Sequence, residues 1–298
     1  MFKRIGLFVL TNLAILVMLS IILNLVSWFF GVNFGQIAGS NQNYATLLIF
    51  AAVIGFTGSL ISLFMSKTMA KTSMGLQMID VDNPRNGVER WLVETVAKLA
   101  KIKGVAMPEV GIYHGEPNAF ATGPSRNNSL VAVSDGLLAS MNREEVEAVL
   151  GHEMSHVANG DMVTMTLMQG VINTFVVFLS RVIGNIVDRG ILRNESDAPG
   201  AGYYITSFVL DMVLGLLGSM LVMAFSRYRE YRADAGAAEA LGSPVPMINA
   251  LARLGGQPTS ELPGAVKGFG INGGIGSLFA SHPSIEQRIK ALRELQQR

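Results

Sequence analysis

The sequence predicts an α+β protein, mainly α, in which four transmembrane helices carry a small domain of helices and a short sheet. Three observations lead there. Half of the 298 residues are hydrophobic and only 15% are charged, whereas soluble domains carry about 25% charge. Four apolar stretches, Ile5–Phe30, Tyr44–Ser66, Met162–Val187 and Tyr203–Phe225, approach or exceed the roughly 20 residues that cross a bilayer. Between and after them lie two polar segments, Lys67–Asp161 and Ser226–Arg298, with turn signals and both helical and strand periodicity. The expected organisation is a membrane hairpin (1–66), a polar part (67–161), a second hairpin (162–225) and a second polar part (226–298).

A net charge of +1 gives no footing for a nucleic-acid partner, and zero cysteines exclude disulfides, thiolate metal sites and a cysteine nucleophile. The first stretch follows Lys3 and Arg4 as a secretory signal would. It is longer than the ~7–15 residues of a signal core, and no small-x-small cleavage site follows, so it reads as a retained span. Lys3, Arg4, Lys67, Lys71, Arg227, Arg229 and Arg232 flank the spans on one side, while the connection Gly31–Asn43 has no charge and Asp188–Gly202 mixes both signs. The positive side is cytoplasmic, and both polar segments fall there.

In the polar part, Val88–Lys101 has helical spacing and ends before Gly104. Glu109–Tyr113, Asn118–Thr122 and Ser129–Ser134 read as short strands. Asn142–Asn159 reads as a helix with Asn142 as N-cap and Glu145 three residues on, a capping-box pattern. Helices are expected near Arg227–Leu241, Val245–Leu254 and Pro283–Gln297, with the glycine-rich stretch Leu254–Ser277 as a loop.

The chemistry is concentrated in His152-Glu153-Met154-Ser155-His156. Residues four apart lie on one helix face, so both imidazoles can grip one metal ion while Glu153 stands beside it. Composition alone would produce this pattern in about one chain in four hundred. Catalytic zinc takes three protein ligands and keeps one position open. His114 and His282 are the remaining histidines, and Glu230 and Asp234, four apart on an expected helix, offer one ligand and one group to orient a ligand. The two spans between His156 and Glu230 return the chain to the side where it began.

Several strings together resemble the membrane metallopeptidases of the HtpX type, gluzincin zinc peptidases related to the CAAX-prenyl endopeptidases. They are Asn118-Ala-Phe-Ala-Thr-Gly, His152 through Asp161, Ser226 through Ala235 and Ser281-His-Pro-Ser-Ile-Glu-Gln-Arg288. The resemblance covers nearly the whole chain. It implies a zincin-like catalytic domain and one Zn2+ per chain held by His152, His156 and Glu230, with Asp234 beside them. Glu153 is then the general base, and His282 a catalytic residue that hydrogen-bonds the oxyanion of the tetrahedral intermediate. Asn118, Ala119 and Phe120 would form a strand against which an extended substrate pairs.

The expected function is zinc-dependent endopeptidase action at the cytoplasmic face of a bacterial inner membrane. Protein or peptide substrates, including misfolded membrane proteins, and the lipid bilayer are the implied partners. A prenyl-CAAX-type endopeptidase is the alternative within the family, and a non-catalytic membrane zinc-binding or transport protein the alternative outside it. The spans contain no histidine, which disfavours the latter. Arg181 and Asp211 lie at similar depth within the last two spans and are expected to pair.

Overall fold

The computed structural model describes residues 20–29, 31, 43–256 and 280–297. The elements run α1 (Ser20–Phe29), α2 (Tyr44–Ser73), β1 (Gln77–Met78), α3 (Gly87–Lys103), β2 (Glu109–Tyr113), β3 (Ala119–Ser125) and β4 (Asn128–Ser134). They continue with α4 (Asp135–Ser140), α5 (Arg143–Asn159), α6 (Asp161–Asn185), a π-helical turn (Ile186–Ile191), α7 (Ala201–Leu241), α8 (Val245–Gly256) and α9 (Ile285–Gln296). The chain divides into two compact units. One comprises the described residues up to Ser62 with Thr166–Leu221; the other comprises Leu63–Met165 and the described residues from Val222 onward.

Among the described residues, three helices are long and apolar enough to cross a membrane: Tyr44–Ser73, Asp161–Ile191 and Ala201–Leu241. The expected first span, Ile5–Phe30, lies largely outside the described residues, as does most of the glycine-rich stretch Leu254–Ser277. Within the first unit, small residues let helices approach closely. A Cβ at Gly55 of α2 would stand 2.6 Å from the Thr174 backbone nitrogen of α6, and one at Gly218 of α7 would stand 2.5 Å from Ile172. Arg181 and Asp211 do pair, with Nη1 2.7 Å from Oδ2.

In the second unit a four-stranded sheet runs in the order β1-β2-β4-β3, with β2 and β4 parallel and the outer pairings antiparallel. Helices α3 and α5 cover it. Asn86 caps α3 by accepting from Val88 N and Glu89 N, and Gly104 ends it at φ 65°, a left-handed conformation that glycine adopts without strain. The capping box on α5 is complete: Asn142 accepts from Glu145 N, and Glu145 accepts from Asn142 N. Leu92, Val96 and Leu99 of α3, Val110 of β2, Val131 and Val133 of β4, and Val146, Leu150 and Met154 of α5 form one buried cluster. Full burial of each large apolar side chain contributes about 1.5–3 kcal/mol, so this cluster anchors the chemistry-bearing helix to the sheet.

Two helices extend beyond their apolar stretches. α2 continues past Ser66 to Ser73, where no proline or glycine interrupts it, and Lys67 and Lys71, one turn apart, both reach Glu109, at 2.9 and 2.5 Å. The fourth apolar stretch and the helix expected near Arg227–Leu241 form a single 41-residue helix. No proline or glycine interrupts Ser226–Ala235, and the break comes only near Gly242, at φ 69°. The two-residue strand β1 and the short helix α4 have too little periodicity to be read from sequence.

Candidate active site

Helix α5 presents His152, Glu153 and His156 on one face, and α7 brings Glu230 and Asp234 to them. The two imidazole Nε2 atoms are 3.1 Å apart. Glu230 Oε2 is 3.4 Å from His152 Nε2, and Oε1 is 3.2 Å from His156 Nε2. One ligand atom from each of His152, His156 and Glu230 falls within 4.8 Å of the others.

The other side of each ring is fixed by a carboxylate. His152 Nδ1 lies 2.8 Å from Asp234 Oδ1, and His156 Nδ1 lies 2.6 Å from Asp161 Oδ2. These acceptors favour hydrogen on Nδ1, which turns both Nε2 lone pairs toward one point beside a carboxylate. Such an arrangement is repulsive unless something positive occupies the point. Glu230 Oε2 strengthens the argument: it is buried and accepts no well-formed hydrogen bond, although His282 Nδ1 lies 2.7 Å away. Two nitrogens and a carboxylate oxygen are the donor set of a catalytic zinc site, so the residues fit a zinc ion.

Electrostatics agree. Burial would raise the Glu230 pKa, but the facing rings of His152, His156 and His282 outweigh it and hold the carboxylate well below its usual range. Burial would lower His156, but Asp161 and Glu230 outweigh that and push it up to about 9. His152 is likewise raised, by Asp234 and Glu230 against burial. Glu153 moves the other way from Glu230. Desolvation raises its pKa, opposed by the two imidazoles and by the Ala121 backbone N–H. A carboxylate made more basic by desolvation is suited to accept a proton.

These groups line a cavity of about 350 Å³, together with Pro117 to Ala121, Leu137, Val149, Met247, Leu251, Leu254, His282 and Arg288. Asn118, Ala119 and Phe120 thus stand at its wall. Strand β3 is an edge strand. Ser134 N donates to Asn118 O at 2.9 Å, and the register pairs Phe120 with Ala132. By alternation, Phe120 and Thr122 point their backbone groups inward to β4, and Ala119 and Ala121 point theirs to the open edge. His282 is largely exposed, with its ring turned to Glu230.

Two residues escaped the sequence reading of individual roles. Arg288 of α9 forms a fork on Asp234, with Nη2 2.6 Å from Oδ1 and Nε 2.8 Å from Oδ2. Asp161 begins α6 and holds His156. Both lie inside the strings that carried the resemblance; the signal for Asp161 was an acid directly after the helix-ending Gly160. His114, one of the two histidines outside the metal-binding pair, has a partner away from the site: Nδ1 is 2.5 Å from Asp135 Oδ2.

The sequence model described as "Peptidase family M48" matches residues 86–296. The chain belongs to peptidase family M48. This M48 member is 57% identical over 296 residues to "Protease HtpX homolog" of Paracidovorax citrulli, covering 99% of each chain. It is 58% identical over 293 residues to the protein of the same name from Bordetella pertussis, covering 98% of each. Among solved structures it resembles the crystal structure of S. mikatae Ste24p, with a TM-score of 0.58 at 19% identity, covering 93% of this chain and 67% of that one. At that identity the likeness is one of fold. With its long apolar helices, this family member is a membrane metallopeptidase.

Proposed function

We propose that this M48 peptidase is a zinc-dependent endopeptidase of the bacterial cytoplasmic membrane. Its catalytic unit faces the cytoplasm, and it cuts membrane proteins, misfolded ones among them. The observation that carries the reading is the convergence of His152 Nε2, His156 Nε2 and a Glu230 oxygen on one point, with Glu153 beside it in the cavity. The positive flanks of the apolar stretches support the orientation. The relatives called HtpX proteases support the proteolytic role.

His152, His156 and Glu230 would hold one zinc ion, with Asp234 and Asp161 fixing the rings. Zinc, when bound there, supplies Lewis acidity that makes water a nucleophile near neutral pH and polarises a peptide carbonyl. Glu153 takes the proton of the attacking water and returns it to the leaving amine. The outward backbone groups of Ala119 and the outward carbonyl of Ala121, whose N–H faces Glu153, pair with extended substrate backbone, and Asn118 and Phe120 contact its side chains. His282, once its Nδ1 swings from Glu230, donates to the developing oxyanion.

The test is hydrolysis of casein and of a purified membrane protein, with zinc, with chelator, and with Glu153→Gln. Zinc-dependent cleavage that the substitution abolishes while bound zinc is retained is expected. Cleavage surviving both chelation and Glu153→Gln would overturn the proposal.

A further inference from the structure

An ionisable pair within apolar, membrane-long helices is costly, and such groups mark functional positions more often than structural ones. Arg181 of α6 and Asp211 of α7 form such a pair in the first unit. Arg181 Nη1 donates to Asp211 Oδ2 at 2.7 Å and to Ser180 Oγ at 2.9 Å. Ser180 Oγ donates to Asp211 Oδ1 at 2.5 Å, and Ser207 Oγ donates to Ser180 O at 3.1 Å. At 1.5 Å per residue, Asp211 stands about 15 Å from the start of α7, and Arg181 stands about 6 Å from the end of α6, with the π-helical turn Ile186–Ile191 between it and the connecting loop.

A purely structural pair would be closed off. Here the network is buried only at its serine end: Ser180 is 0% and Ser207 4% exposed, while the Arg181 and Asp211 side chains keep 24% and 35%. The open side is visible on α7. Phe208, one turn before Asp211, is largely exposed, and among the described residues a Cβ at Gly215, one turn after it, would meet nothing within 4 Å. Among the described residues the guanidinium is engaged through Nη1 alone. The partly exposed pair therefore borders one gap, between an exposed ring and bare backbone.

We infer that this gap binds a polar residue carried on a transmembrane helix of a substrate, with a carboxamide (asparagine or glutamine) as the fitting chemistry. The amide oxygen accepts from the guanidinium and the amide nitrogen donates to Asp211. The bare backbone at Gly215 lets the second helix come close enough for both bonds. An all-apolar helix gains neither. The site would thus select membrane segments whose polar side chains lack their normal partners. That use rests on the proteolytic reading above, but binding itself needs no cleavage.

The full-length Glu153→Gln protein, in phosphatidylethanolamine–phosphatidylglycerol bilayer discs, would carry a photo-crosslinking residue in place of Phe208. The probes are two leucine-based single-span peptides, identical except for one asparagine at the depth of Asp211. We expect the asparagine probe to cross-link about three- to tenfold more, with the advantage gone in the Arg181→Leu/Asp211→Leu double variant. Should that variant fail to fold, Gly215→Leu fills the approach without touching the charges and is expected to remove the advantage too. Equal yields for the two probes, an advantage that survives these substitutions, or cross-links between two copies of this chain in place of the probe would each overturn the inference. A protein that shows the advantage yet hydrolyses nothing when Glu153 is restored would refute the proteolytic reading and leave this site standing.

Discussion

His156 Nδ1 lies 2.6 Å from Oδ2 of Asp161, the first residue of α6. Arg229 Nη1 stands 3.6 Å from the same oxygen, so the carboxylate joins an imidazole of the cage to the helix that bears Glu230. Such a partner fixes ring orientation and raises the basicity of the nitrogen that faces the metal. Asp161→Ala is expected to weaken zinc binding by about 10–100-fold, read by competition with a chromogenic chelator. Unchanged affinity would reduce Asp161 to a helix-start residue.

Zinc uptake should release protons. Because His152 and His156 are both raised above their ordinary range, the metal-free rings hold protons at neutral pH that the ion must displace. Apparent affinity is expected to climb as pH rises toward about 9, the value for His156, and to level off above it. Calorimetry in buffers of different ionisation enthalpy would count the protons. A flat profile across the neutral range would contradict the arrangement.

The His114–Asp135 contact tethers the loop that leads into β3, with Gly115 N donating to Asp135 Oδ1 at 3.0 Å. The hydrogen bond to Asp135 raises His114, so that contribution is full below its unfolded pKa and fades as pH rises through the raised value. Bonds from Gly115 and His114 lower Asp135, so its contribution is full above its unfolded pKa and fades in acid. The tether is therefore complete between roughly pH 4 and 6.5. Hydrogen exchange at residues 115–118 should be slowest there, and His114→Ala should erase the alkaline-side change.

Gly55→Leu addresses the first unit. Its Cβ would meet both backbone and side chain of Thr174 at 2.6 Å, neither of which is a flexible tip. Overpacking of this kind costs about 1–3 kcal/mol, visible as a lowered unfolding midpoint in detergent. An unaltered midpoint would show that α2 and α6 part freely at this level.

The sequence carried information unevenly, for physical reasons. The span of α5 and its cap were legible because Asn142 and Glu145 state a local hydrogen-bond pattern, and β2 because Glu109–Tyr113 is bounded by turn residues. The run-on of α7 was hidden: hydropathy falls after Phe225, but a change in polarity does not end a helix whose backbone meets no breaker. At the site, the spacing of His152 and His156 is written in one helical turn. The approach of Glu230, and still more the fork of Arg288 on Asp234, spans dozens of residues and leaves no local pattern. Asp234 could be singled out as a candidate only because it lies one turn from Glu230.

The fork from Arg288 and the contact from His282 reach back more than fifty residues along the chain to Asp234 and Glu230. Asp234 in turn holds the Nδ1 side of His152. The cage is therefore braced only once α9 and the segment before it are seated, and unseating them would leave His152 and Glu230 on their own helices without the contacts that aim them.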